Sequence, residues 1–357
     1  MQRNKISFNG QKIFVGIDVH KTKWSVTCIS ENGFEHTHTQ KASAEDLAIF
    51  LNRNFPGGEY HAVYEAGFTG FSTYYALEQC DIDCIVIHAA DVPTTQYEEV
   101  MKTDKVDSVK LAKALKSGLL RGIYVREVEN LDDRAVIRLR TAIGKDSARY
   151  KIRAKHMLMS NGVEIPESFQ RNGLRWSGAL IKWMREDVKL LSSTRKSLDM
   201  LLDQVESSRK ALLTASRELR TLAKSEKYKK RFDLLQSIPG VGQIVAMTLL
   251  TEIYDFNRFS NERQFAHYLG LVPTSHSSGD KVVHGEKTFR GNKELGPMIV
   301  EAAWIATRHD IGLGAAFGEY CRRMKPQKAI IRIARKLSNI IFSVMKTGVA
   351  YVPYTIR

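Results

Sequence analysis

The pattern of apolar and polar positions changes period along this chain. Near the N-terminus Ile13, Phe14, Val15, Gly16 and Ile17 form a short apolar run without helical spacing, ending in Asp18. A run of this length and composition predicts a buried strand. Trp24, Val26 and Cys28 then alternate with polar residues up to the turn signal Glu31-Asn32-Gly33, which predicts a second strand. The polar alternation from Phe34 to Gln40 predicts an edge strand. Ser43 is placed to cap a helix running through Asn52, with Leu47, Phe50 and Leu51 on its apolar face. After the Pro56-Gly57-Gly58 break, Tyr60 to Glu65 predicts another strand that ends in a carboxylate. A helix over Phe71 to Gln79, a strand over Cys84 to His88 and a helix from about Thr103 to Ser117 complete the series.

That order, βββαβαβα, is the order of a ribonuclease-H-like α/β domain, assigned to residues 1–131. Beyond it the period becomes helical. Met184, Leu191, Leu198, Val205, Leu212 and Leu219 recur every seven residues, joined by Val188, Leu201, Leu202, Ala215 and Leu222. Such a heptad seam predicts a long helix packed against another, in a spacer over 132–231. Arg195 and Arg209 interrupt the seam. Its partner stays open between a second helix of the same chain, in a hairpin, and a second subunit, in a coiled coil. Residues 232–357 predict a small all-α domain. It opens on a helix, then Pro239-Gly240-Val241-Gly242, then the apolar helix Ile244 to Ile253. This is the helix-hairpin-helix pattern, in which Gly240 and Gly242 let the turn approach a phosphate and the next helix offers free backbone N–H groups. A Gly-x-Gly turn also joins many helices that bind nothing, so charge has to weigh in.

The charge does so. Lys and Arg number 54 against 39 Asp and Glu, a net charge of +15 with a pI near 9.6. An excess of this size suits a polyanion, most commonly nucleic acid. The alternative is a merely basic surface, but the cations are unevenly spread. Lys145, Arg149 and Arg153 share a helix face in the spacer, and Lys287, Arg290 and Lys293 cluster further on. No apolar run approaches the roughly 20 residues of a membrane helix. The polar start, Met1 to Gly10, has no signal-peptide core, so the expectation is a cytoplasmic protein without a membrane partner. Cys28, Cys80, Cys84 and Cys321 show no paired metal-ligand spacing; Cys80 and Cys84 fit buried thiols of a reducing compartment.

Four carboxylates and a serine-rich loop are the candidate chemistry. Asp18 and Glu65 end strands that can lie side by side, and Asp104 and Asp107, spaced i, i+3, share one helix face. Such a set suits one or two Mg²⁺ ions, which stabilise the attacking and leaving oxygens of phosphoryl transfer. Taken singly, Asp104 and Asp107 also suit a helix start after Thr103, and Asp18 and Glu65 suit ordinary strand ends. The loop Gly270 to Asp280 carries Ser275, Ser277 and Ser278 beside His276, without a Ser-His-Asp spacing. From their chemistry alone these serines are turn formers as readily as nucleophiles.

Gly-Ile-Asp-Val at 16–19, Tyr-Glu-Ala-Gly at 64–67 and Lys-Thr-Asp-Lys-Val-Asp at 102–107 together resemble one family. So do Ile-Pro-Gly-Val-Gly at 238–242, Phe-Ala-His-Tyr-Leu-Gly-Leu-Val-Pro at 265–273 and Arg-Gly-Asn-Lys-Glu-Leu at 290–295. The family is the DEDD transposases of the insertion-sequence family called IS-one-ten, bridge-RNA-guided serine recombinases, and the similarity runs in order over nearly the whole chain. It implies a RuvC-like N-terminal domain whose DEDD residues are Asp18, Glu65, Asp104 and Asp107, holding Mg²⁺ with Mn²⁺ as the alternative ion. It implies a nucleophile at Ser278, with Ser277 adjacent, that forms a covalent phosphoserine link to DNA. Gly240, Gly242, Arg149, Arg153, Lys287, Arg290 and Lys293 become the expected nucleic-acid contacts. The expected partners are donor and target DNA, a noncoding bridge RNA and further copies of the chain, as a dimer or tetramer with a composite active site. A Holliday-junction-resolving nuclease would need the carboxylates but no serine. A nucleic-acid-binding protein without chemistry would need neither.

Overall fold

The computed structural model describes residues 7–94, 103–171, 173–278, 281–287 and 291–353, with 273–278 and 281–287 described by backbone only. The chain divides into two compact units, Met1–Arg126 and Glu127–Arg357.

The first unit is built on a five-stranded sheet. Its strands are β1 (Lys12–Val19), β2 (Lys23–Ser30), β3 (Glu35–Lys41), β4 (Glu59–Glu65) and β5 (Asp83–Ile87), in the order β3-β2-β1-β4-β5. The first three are antiparallel; β4 and β5 join β1 in parallel through α1 (Ala44–Asn54) and α2 (Ser72–Glu78). Alternation along β1 decides both faces. Ile13, Val15 and Ile17 pack with Leu47, Leu51 and Leu77 of α1 and α2. On the other face Gly16 meets α3 (Asp104–Lys116), whose Leu111 packs with Val63 of β4 and Ile87 of β5. A Cβ at Gly16 would stand 2.2 Å from the Ser108 carbonyl oxygen and 2.4 Å from the Ala112 nitrogen. Only glycine lets α3 lie this close to the strand that carries Asp18. Further contacts fix that helix. The Thr27 and Ser108 hydroxyls are 2.8 Å apart in the interior, and the Lys116 ammonium donates to the carbonyls of Ser30 and Glu31.

The second unit is mostly helical. Its two 33-residue helices, α4 (Val128–Ser160) and α6 (Ser192–Lys224), run antiparallel for about 50 Å. Arg140 reaches Ser216 towards one end, while Ala154 and Leu158 cluster with Leu198 and Leu202 towards the other. The heptad residues Leu198, Leu202, Val205, Ala215 and Leu219 are thus buried within the chain. The heptad expectation needs one correction. The seam does not follow a single helix: α5 (Gly178–Glu186) ends before α6 begins, and Leu191 at the break is 83% exposed. Arg195 supplies the physical reason, because its guanidinium donates to the carbonyls of Met184, Arg185 and Val188 and takes up the end of α5. The charge that spoils the seam is therefore the cap of the preceding helix.

The rest packs around Leu250, Ile253, Phe265, Ala302, Ile333 and Leu337. These come from α8 (Gln243–Ile253), α9 (Glu262–Tyr268), α10 (Leu295–His309) and α12 (Pro326–Thr347), joined by α7 (Lys229–Gln236) and α11 (Ile311–Cys321). The all-α expectation for this region is also corrected. The serine-rich stretch forms an antiparallel hairpin of β6 (Pro273–Ser278) and β7 (Lys281–Lys287), where His276 and Ser277 pair with Val283 and Val282. Among the described residues no helix is long and apolar enough to cross a membrane.

Candidate active site

The parallel pairing of β1 with β4 places Ile17 opposite Tyr64, so Asp18 and Glu65 follow side by side where the two strands end. Helix α3 delivers the other two acids. The Thr103 hydroxyl accepts from the Val106 backbone N–H and starts the helix, so Asp104 and Asp107 fall in its first turn. All four carboxylates line one open cavity of about 430 Å³, together with His20, Gly67 and Thr103.

Basic side chains already neighbour three of these acids. His20 Nε2 lies 3.1 Å from Asp18 Oδ2 and 3.5 Å from Asp104 Oδ1, so one imidazole bridges strand and helix. Lys23 Nζ is 3.5 Å from Asp104, and Lys110 Nζ is 3.0 Å from Asp107. The Glu65 carboxylate meets no cation among the described residues. The electrostatics are uneven. Burial pushes the Asp18 carboxyl above its ordinary value, and the charges of Asp104 and Asp107 add to this against the pull of His20. At Asp104 burial also acts upward, but His20 and Lys23 outweigh it and hold the carboxyl below its ordinary value. Asp18, His20 and Asp104 each present a ligand atom within 4.8 Å of the others. Converging carboxylate oxygens, with one carboxyl raised by burial and further by its neighbours' charge, are a donor set that fits a hard divalent cation. His20, Lys23 and Lys110 were not singled out by sequence reasoning. The only available signal was their closeness to Asp18 and Asp107 in the chain, and the choice of partner is tertiary.

The remaining expected residues lie in the second unit. Ser277 and Ser278 have their backbones at the turn end of the hairpin, opposite Val282 and Lys281. The backbone of Lys287 pairs with Pro273 at the other end, and Arg290 lies outside the described residues. In the turn between α7 and α8 the two glycines differ. Gly240 has φ +84°, and a Cβ there would stand 2.2 Å from the Ala302 carbonyl oxygen, so packing against α10 accounts for it. Gly242 is exposed, with space around its α-carbon, and it precedes an α8 N-terminus that has no side-chain cap. Arg149 and Arg153 are exposed on α4, with Arg149 2.7 Å from Asp146. Lys293 lines a cavity of about 550 Å³ with Arg138, Lys145, Glu252 and Asn292. Glu252 in its wall is 1% exposed and receives Arg138 at 2.7 Å and Arg134 at 2.9 Å. Burial alone would raise its carboxyl; the two guanidinium groups reverse this and hold it down to about 2.

Residues 232–319 match the family model described as "Transposase IS116/IS110/IS902 family", and residues 15–161 match the DEDD model described as "Transposase". A putative transposase, y4rJ, of Sinorhizobium fredii is 28% identical over 94% of this chain and 92% of its own length. The "Transposase for insertion sequence element IS1533" of Leptospira borgpetersenii is 26% identical over 72% of this chain and 74% of its own. The "Pilin gene-inverting protein" of Moraxella bovis is 33% identical over 32% of this chain and 37% of its own.

Proposed function

The chain belongs to the IS116/IS110/IS902 family of transposases, enzymes of DNA strand transfer, and from that premise we propose that it cuts and rejoins DNA through a serine of its own second unit. The observation that carries this is the convergence of Asp18, Glu65, Asp104 and Asp107 on one cavity at the ends of parallel strands. Their oxygens would hold Mg²⁺, or Mn²⁺ in its place, which when bound supplies positive charge to the phosphodiester under attack and to its leaving oxygen. The fold that presents the acids is then a RuvC-like one.

Ser278, with Ser277 as its neighbouring alternative, is the nucleophile. Its Oγ forms a bond to phosphorus as the bond from phosphorus to one bridging oxygen breaks. The hydroxyl gives up its proton and the departing oxygen takes one up. One phosphodiester is exchanged for another, so the reverse attack rejoins strands without an outside energy source. Asp18 and Glu65 are set by the sheet, whereas Asp104 and Asp107 depend on the docking of α3. Acids and serine belong to different compact units, which suits a composite site completed by a second subunit of a dimer or tetramer.

Target choice by a noncoding bridge RNA would leave the protein to grip backbones rather than read bases. Gly242 and the uncapped start of α8 suit the phosphate contact of a helix-hairpin-helix. Arg149, Arg153, Lys287, Arg290 and Lys293 would add charge.

The test is a denaturing gel of protein incubated with labelled DNA from the ends of its insertion sequence, alongside sequencing of RNA that copurifies. Wild type is expected to carry label covalently, Ser278→Ala to lose it, and Asp18→Asn to lose both adduct and cleavage. Cleavage persisting in Ser278→Ala would hand the site to a metal-dependent, resolvase-like nuclease. Absence of a discrete RNA would remove the guide.

A further inference from the structure

From Tyr320 to Arg357 the chain contains nine Lys and Arg and no Asp or Glu. Most of this stretch is α12 and the turn before it. One face of α12 is spent on the core, through Ala329, Ile330, Ile333, Ala334, Leu337 and Ile341. Lys328, Arg332 and Lys336 are spaced i, i+4, i+8 and are exposed, so they form one ridge on the other side. Exposed Arg322, Arg323 and Lys325 lead into it. Among the described residues the ridge cations have no carboxylate partner, and Arg323 alone in this group has one, a 3.7 Å contact with Glu319. Arg332 is held over the ring of Tyr320 at 5.5 Å, which restrains its side chain before anything binds.

We propose that the Lys328–Arg332–Lys336 ridge is a docking surface for the phosphate backbone of duplex DNA. With about 1.5 Å rise per residue, successive cations stand about 6 Å apart along the helix. That is about the spacing of successive phosphates along one strand, so the ridge presents one cation to each of three phosphates. The start of α12, with Pro326 in its first turn, adds partial positive charge at one end of the row. Three exposed cations in a row on a helix anchored to the core by its other face, with no acid from residue 320 onward, favour an extended polyanion over a single small anion. DNA is the occupant because it is the substrate of the strand transfer proposed above, on which this inference rests.

The experiment uses the full-length protein and measures affinity for a labelled DNA duplex and for a duplex RNA of equal length over a range of salt. Each cation–phosphate contact contributes about 0.9 to the slope of log affinity against log salt, so K328Q/R332Q/K336Q is expected to flatten the DNA slope by about 2.7. R332K, which keeps the charge, is expected to retain the wild-type slope. K12Q/K41Q/R53Q removes the same charge from exposed positions of the first unit and is expected to leave the DNA slope unchanged. An unaltered DNA slope in the ridge variant overturns the proposal, as does an equal flattening in the control variant. Flattening with RNA alone, or equally with RNA and DNA, overturns the choice of DNA. Wild-type protein that binds no DNA would overturn the strand-transfer reading itself, and the ridge with it. Circular dichroism melting of each variant checks that the exposed substitutions leave the fold intact.

Discussion

Glu252 is the residue on which stability and pH are most tightly joined. It is a buried carboxylate on α8, held by two arginines from α4, and both arginines lose their partner if it is protonated. Its carboxyl is lowered in the folded chain, so the stability it contributes is present above the ordinary carboxylate value of 4.5 and is lost as pH falls towards about 2. Glu252→Gln is expected to destabilise the second unit by on the order of 3 kcal/mol at neutral pH. It should also flatten the acid limb of the stability curve between those two values. Chemical denaturation at several pH values measures both effects, and an unchanged acid limb would mean that the guanidinium pair does not hold the charge. At Asp18 the sign is opposite. Its raised carboxyl binds a proton more readily when folded, so ionising it costs stability as pH rises through its range. A cation entering the site would relieve that cost.

At the scale of elements, the position of α3 decides whether the acids meet. Gly16→Ala places a methyl against the backbone of α3, at 2.2 Å from the Ser108 oxygen, so the helix has to move away from β1. The expected cost is about 1–3 kcal/mol, with loss of DNA cleavage out of proportion to the loss of folding. Cleavage and melting temperature measured on the same preparation would separate the two. Thr103→Ala removes the cap of the same helix, an expected loss of about 1 kcal/mol, and frays the turn that carries Asp104. The sequence carried much of this. Strand ends with Asp18 and Glu65, the capping Ser43 and Thr103, and the i, i+3 acids are local signals, and each element lies where its local pattern points. What was not legible depends on contacts between distant segments. His20 bridges Asp18 to a helix more than eighty residues away. Arg195 reads as a flaw in a heptad until the end of α5 is seen against it. Gly240 reads as a phosphate-binding glycine until Ala302 is seen filling the space beside it. The β6–β7 hairpin was hidden because its serines and glycine carry no alternation of apolar residues to mark a strand.

For the whole molecule, the charge of +15 predicts that binding to DNA weakens steeply with salt, by on the order of a thousandfold between roughly 50 and roughly 200 mM. Fluorescence anisotropy with an unrelated duplex measures this, and a flat dependence would remove the electrostatic footprint. The two units close separate cores, one around Ile13, Val15 and Leu47 and the other around Leu250, Phe265 and Leu337. Each therefore has an apolar interior of its own to fold around. The four acids belong to the first and the hydroxyl loop to the second. Translation makes the first unit before the second. On the proposed chemistry, a ribosome that stops early releases a folded piece with the acids but no nucleophile. Such a fragment leaves the host chromosome unbroken, so the element risks strand breakage only from chains that have been made in full.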